Sequence, residues 1–499
     1  MRLFLIWAGR KSLPELGDLI LKLNESPHEL VYWVGVPEGE KFKPKNTIFH
    51  SYDDAMLARP AKGIDIGQFA PPGADIISKM YQAESIVLTM MNRVFGGLCV
   101  DERRHIYYKM VQYWFGVLKK YKPELIIFPN TPHFVYNYVI YELARILDIR
   151  TIMFDDTRIP GRLLFYSDFR KGSDVLRERI LANKEKKFTL DDLSADIRNY
   201  YKPRTGNDYN AQPDYIADQK KKYSVIYWLL REPKIWKSVK DFTILMKAPR
   251  YVFRRLRQQN ISFIKNLSVW LSYFFRNNLK KEYIGAQSRP NLDKNFVYMP
   301  LQKQPERTTS PQGDMFVDQI LALEILSASL PDGWKIYVKE HPLQWMDLGY
   351  GFSSFRYRGY YQRIADIKNV ELVPVDESSY ALINKSRCVA AVTGSAGWEA
   401  VMRSKPAIIF GHVWYHDCPG IFLADGVLSC AGALQKIAGG FTVNQQSIIN
   451  FLKSFDEATI HGFIATTAAR ASGLTGQENM NNIAQLLLKE MEKFLKKSS

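Results

Sequence analysis

The chain has 499 residues, 46% hydrophobic, 24% charged and 13% aromatic, a balance that supplies two or more packed cores and excludes a disordered polymer. Its formal charge of +17 is concentrated: residues 231–281 hold thirteen Lys and Arg against only Glu232 and Asp241, a local excess of +11. The four cysteines (Cys99, Cys388, Cys418, Cys430) stand far apart without a CxxC pair or clustered histidines, which argues against a disulfide framework or a zinc site and fits a reducing cytoplasm. The N-terminus has no signal-peptide pattern, and no window approaches about 18 uninterrupted apolar residues, so a protein neither secreted nor membrane-spanning is expected.

In chain order, an apolar strand at 3–7 leaves through Ala8-Gly9, a helix follows at 13–23, and a second strand lies at 30–34. This is a β-α-β opening without a GxGxxG fingerprint, so it predicts a Rossmann-like domain but no dinucleotide. Helical periodicity occupies 74–95 and 101–121. A strand at 125–128 exits into Pro129-Asn130-Thr131-Pro132-His133, a helix spans 136–147, and a strand at 151–154 ends in Asp155-Asp156-Thr157-Arg158. Ligands of open parallel sheets bind outside the carboxyl ends of strands, which makes His133 a candidate ligand contact, Asp155 and Asp156 candidates for acid/base or nucleophilic work, and Arg158 the cation beside them that keeps a carboxylate ionised.

From 171 to 288 the strand and helix alternation stops, predicting a helical basic insert or linker between an N-terminal domain (1–170) and a second one (289–475). In its basic half Trp228, Trp236, Trp270, Tyr273, Phe274 and Phe275 interleave with Lys and Arg, a surface suited to anionic lipid headgroups and equally to a solvated helical hairpin. No nucleic-acid motif accompanies the charge.

Alternation then resumes, with strands expected at 296–299, 334–338, 370–373, 388–392 and 407–410, and a helix at 315–329. The first strand runs into Gln302, Gln304, Pro305 and Glu306, and the second ends on Lys339-Glu340-His341-Pro342. Two consecutive exits carrying amides, a cation and an imidazole predict a ligand pocket. The stretch Thr393-Gly394-Ser395-Ala396-Gly397-Trp398-Glu399 follows a strand and opens a helix, so its small residues and free N–H groups suit a phosphate. Glu399, one turn in, is placed to accept ligand hydroxyls, and Trp414 at the next exit is placed to stack a base or sugar. An amphipathic helix at 476–499 closes the chain.

With these residues assembled, the chain resembles the capsule polysaccharide biosynthesis family, whose better understood members are Kdo transferases of bacterial capsule and lipopolysaccharide assembly. The resemblance is carried by Pro300-Leu301-Gln302 with Gln304-Pro305-Glu306, by Lys339-Glu340-His341-Pro342, by Gly394 to Ala400, and by Phe410-Gly411 before Trp414. A fainter match covers Pro132-His133 and the stretch 154–160. It implies an α/β, GT-B-like fold with two Rossmann-like domains facing a cleft, the C-terminal one binding the donor and the N-terminal one the acceptor, without a structural metal. It also implies a CMP-activated 3-deoxy-ulosonic sugar as donor, a glycan or lipid-linked acceptor, and double displacement through an N-domain aspartate. A peripheral enzyme on the inner face of the cytoplasmic membrane is the resulting expectation. The alternatives are a CDP-polyol phosphotransferase and a non-enzymatic assembly scaffold.

Overall fold

A computed structural model describes residues 1–9, 13–25, 27–206, 279–304, 306–345 and 356–498. Two parallel-rich sheets organise them. The N-terminal sheet contains β1 (Arg2–Ile6), β2 (Glu29–Gly35), β3 (Ile48–Ser51), β4 (Leu125–Phe128), β5 (Arg150–Asp156) and β6 (Arg162–Tyr166). The C-terminal sheet contains β7 (Phe296–Pro300), β8 (Lys335–Lys339), β9 (Val370–Leu372), β10 (Cys388–Ala391), β11 (Ala407–Ile409) and β12 (Ile421–Leu423). A last short strand, β13 (Ile460–His461), returns to the first sheet.

Strand order is β13-β6-β5-β4-β1-β2-β3 in one sheet and β12-β11-β10-β7-β8-β9 in the other. The second sheet is parallel throughout, whereas β6 runs antiparallel to β5, and β13 antiparallel to β6. Strands covered on both faces read as unbroken apolar runs; Leu125–Phe128 and Cys388–Ala391 are buried at every position. The order reverses between β1 and β4 in the first sheet and between β7 and β10 in the second. Those reversals open the crevices in which doubly wound sheets bind ligands. The α/β, GT-B-like expectation of two Rossmann-like units is therefore met.

Several elements differ from expectation. The 315–329 helix is a 3₁₀ turn, Asp314–Val317, followed by Gln319–Ala328, because the Asp318 carboxylate accepts the Ile320 N–H (3.1 Å) and starts a new helix. The 74–95 stretch breaks at Met80 into Ala74–Lys79 and Tyr81–Met90. Strands β3, β6, β12 and β13 are additional to the expected ones.

The division of the chain also changes. The Gly476–Ser498 helix is not a separate unit: Met480, Ile483, Leu487 and Met491 share one core with Leu3, Leu5, Leu16 and Leu19, and β13 extends the N-terminal sheet. An amphipathic stripe needs a partner, and this one covers the first sheet. Of the expected insert, the Asp174–Asn183 and Ala195–Arg204 helices pack against the Gln445–Ala458 and Ser395–Met402 helices of the C-terminal half; 207–278, with nearly all of the basic segment, lies outside the described residues. No helix among the described residues is long and apolar enough to cross a membrane.

Candidate active site

The C-terminal crevice is framed from below by a buried polar lattice. Beyond β7 the Leu301 N–H still pairs with the Lys339 carbonyl (2.8 Å), keeping the β7 and β8 exits side by side. Gln302 and Gln319 exchange amide bonds (2.7 and 3.0 Å), and so do Gln304 and Gln344 (3.0 and 3.2 Å). Glu340 is fully buried and accepts from Arg356 Nε (2.8 Å) and Nη2 (3.1 Å), Tyr361 Oη (2.7 Å) and the His341 N–H (2.7 Å). The third Arg356 nitrogen, Nη1, donates to the Gln304 amide oxygen. Every polar group in this lattice is met by another, the condition under which a buried network rigidifies a loop.

This placement corrects part of the expectation. Gln302 and Gln304 are buried struts rather than exposed ligand contacts; the Gln302 side chain braces the next motif by facing the N–H groups of Thr393 (2.9 Å) and Gly394. Lys339 turns its ammonium to the Glu377 carbonyl (2.7 Å) and Ser379 Oγ (2.6 Å), and burial lowers it to about 8. It supports the start of the Ser379–Lys385 helix instead of gripping a phosphate directly.

His341 keeps a ring N–H donor. Its Nδ1 accepts the Leu343 N–H (3.2 Å), so the ring proton sits on Nε2, and burial lowers the imidazole to about 4, leaving it a neutral donor at pH 7. Pro342 follows in the turn. Across the crevice, Gly394 starts the Ser395–Met402 helix, and no side chain caps it. Its first turn therefore presents N–H groups to a ligand.

Ser395 Oγ donates to Glu399 Oε1 (2.9 Å), and burial raises the Glu399 carboxyl despite the opposing pull of Ser395, Arg158, Arg403 and Arg204. Gly397 has a packing role: a Cβ there would lie 2.7 Å from Ile409 Cδ1 and 2.9 Å from Tyr415 Oη. Trp414 is a further correction. It is buried against Trp398 (4.8 Å between ring centroids), Phe455 (5.1 Å) and Phe451 (6.5 Å), so its faces are not a stacking platform for a base.

Opposite stand the exits of β4 and β5. His133 Nδ1 lies 3.0 Å from the Thr131 carbonyl, to which it donates, leaving a lone pair on Nε2; burial, Arg307 and Arg93 lower it to about 3. Asp155 is buried, with Oδ1 held by Arg307 Nη2 (2.9 Å) and Oδ2 by Tyr166 Oη (3.1 Å). Asp156 does different work. Its two oxygens accept the Ile464 and Ala465 N–H groups, each at 2.9 Å, and burial raises it. It anchors the returning C-terminal segment and drops out as a catalytic candidate.

Arg158 is exposed and lies within electrostatic reach of Glu399, Tyr415 and Tyr200. Glu306 is exposed and within electrostatic reach of Arg93; Pro305 lies outside the described residues. At this seam His133 and Asp155 meet Arg307, and Arg158 lies within electrostatic reach of Glu399. Sequence reasoning missed Arg307, Arg93, Arg204 and Arg403. Arg307 had a signal in its position directly after Glu306, on a polar loop of a strand exit.

Among comparisons with known proteins, residues 202–426 match the family described as capsule polysaccharide biosynthesis protein. No curated protein matches the chain. Among solved structures, the beta Kdo 2,7 transferase of Thermosulfurimonas dismutans KpsC is 11% identical, covering 75% of this chain and 89% of its own, with a TM-score of 0.31. The beta Kdo 2,4 transferase of the same protein is 13% identical over 66% of this chain and 87% of its own, TM-score 0.26. A UDP-GlcNAc 2-epimerase from Neisseria meningitidis is 10% identical over 99% and 100%, TM-score 0.25. The match over residues 202–426 is to the family that the motifs around His341 and Ser395 resemble.

Proposed function

We propose that this protein is a glycosyltransferase that passes a 3-deoxy-ulosonic sugar, of the Kdo or nonulosonic type, from a CMP-activated donor to a growing bacterial capsule or lipopolysaccharide glycan. The observation that carries the reading is the Arg307–Asp155 contact that joins two strand-exit sets: on one sheet the exits that carry His341 and an uncapped helix start, on the other a buried, oriented Asp155. The first set suits a phosphate leaving group. The second suits a nucleophile or base at the anomeric carbon.

In the double displacement that the family resemblance implies, an Asp155 oxygen bonds to the anomeric carbon as the C–O bond to phosphate breaks, and CMP leaves with the electron pair. The acceptor oxygen then bonds to that carbon as the bond to Asp155 breaks, the carboxylate leaves with the electron pair, and the hydroxyl proton passes to solvent water. The lone pair on Nε2 of His133 suits a hydrogen bond from the acceptor hydroxyl. Arg158 suits the sugar carboxylate, since a guanidinium binds carboxylates in two-point fashion. Negative charge on the donor is matched by Arg158, Arg204 and Arg403 around Glu399.

The test is calorimetric titration with CMP, CDP and UDP, together with intact-mass spectrometry of the protein incubated with donor alone. CMP preference and a glycosyl adduct support the reading. Preference for CDP replaces it with a polyol phosphotransferase, and absence of nucleotide binding with an assembly scaffold. For the basic segment 231–281, which falls almost wholly outside the described residues, we propose contact with anionic lipid at the inner membrane face. Flotation with anionic vesicles should then weaken steeply with salt, because exposed charges are screened over about 10 Å at 0.1 M.

A further inference from the structure

We infer that Arg307 is a positioning residue that completes the site from the opposite domain, tying the orientation of Asp155 to the loop that also braces the Ser395 turn. The inference rests on the reading of Asp155 as the reacting carboxylate. The loop after β7 is closed on itself: the Glu306 carbonyl accepts the N–H groups of Thr309 (3.1 Å) and Ser310 (3.0 Å) and the Thr309 hydroxyl (3.0 Å), and the Arg307 carbonyl accepts the Gln312 N–H (3.3 Å). A loop fixed this way cannot follow Asp155 by itself; it moves with its domain.

Its two faces meet different partners. On the C-terminal side Thr393 Oγ1 donates to the Thr308 carbonyl, and the His412 N–H donates to the Gln312 carbonyl (2.8 Å). A Cβ on Gly411 would lie 2.6 Å from that same Gln312 oxygen, so backbone packs on backbone. On the N-terminal side Arg307 reaches Asp155, and Gln82 Nε2 reaches Asp314 Oδ2 (3.3 Å). One rigid loop therefore touches both the turn assigned to the donor phosphate and the carboxylate assigned to the chemistry. Asp155 has this guanidinium partner only while the two sheet edges face one another, whereas Tyr166, from its own domain, holds the second oxygen.

Wild type, Arg307→Lys and Arg307→Gln should be compared in steady-state transfer from a CMP-sugar acid and in calorimetric titration with CMP. The Gln variant should lose about 100-fold in kcat while donor KM and CMP affinity stay within about 3-fold, and Lys should recover to within about 10-fold of wild type. A kcat within about 3-fold of wild type in the Gln variant, or CMP affinity falling in parallel with kcat, overturns the assignment. If wild type itself transfers nothing from a CMP donor, the functional reading fails separately. The cross-domain pair is then decided by thermal unfolding of Arg307→Gln, Asp155→Asn and the double variant: the second change should add little once the first is made, and strict additivity overturns the pairing.

Discussion

The two strand-exit regions that face each other across the seam are built on opposite plans. At the C-terminal sheet, Gln302, Gln304, Glu340 and Arg356 satisfy one another below the surface, and the groups left for a ligand are the His341 Nε2–H and an uncapped helix start. At the N-terminal sheet, Asp155 finds its guanidinium on the other domain, and His133 feels Arg307 from across the seam. The His341 side is prebuilt. The Asp155 side is assembled by juxtaposition, so on the proposed function damage to the first should appear in stability and binding, and damage to the second in turnover.

The sharpest break of that contrast is Asp155→Asn. Turnover should fall by about 10⁴ or more while CMP affinity stays within about 2-fold; equal loss in calorimetry and in kcat would mean that the two regions are not separate. Next in size is Glu340→Gln, which leaves the Arg356 guanidinium buried beside a neutral amide. Breaking a buried pair costs roughly 3–5 kcal/mol, or about 10 °C in the unfolding midpoint for a domain of this size. A melting curve unchanged within about 2 °C would show that the lattice is not a scaffold.

Acid sensitivity probes both regions at once. Burial lowers His133 to about 3 and His341 to about 4, against an unfolded value near 6.5. Between those values the unfolded chain binds more protons than the folded one, so their contribution is fully present above about pH 6.5 and is lost as the pH falls toward 4. Each accounts for roughly 2 kcal/mol after allowance for partial exposure. Denaturant midpoints followed from pH 7 to pH 4 should therefore slope less in His341→Gln than in wild type.

Smaller still is Ser395→Ala, which removes the hydroxyl donated to Glu399 but keeps the helix N–H groups. CMP affinity should drop about 5-fold, the worth of one ordinary hydrogen bond; a loss of 100-fold would make the hydroxyl, not the helix start, the main phosphate ligand. Trp414→Phe should leave CMP affinity unchanged within about 2-fold and cost about 1 kcal/mol of stability, since the ring is core. A large loss of affinity without loss of stability would restore it as a stacking residue.

What the sequence by itself determined is local. Periodicity placed the Leu13–Leu23 helix and β4 at their observed limits, and strand exits marked His133, Asp155, His341 and Ser395, because apolar spacing and turn chemistry are properties of near neighbours. Lys339, Asp156 and Trp414 carry the same local signal, yet the structure gives them to the 377–379 loop, the 464–465 backbone and the Trp398 cluster. A side chain's chemistry states what it is able to bind, while its occupancy depends on which distant groups packing brings within about 3 Å. Arg307 meets Asp155 across 152 positions of sequence, and β13 returns to β6 after the whole second domain. Those pairings are set by how two independently built cores dock and by which apolar faces remain uncovered, and no window of sequence contains either quantity.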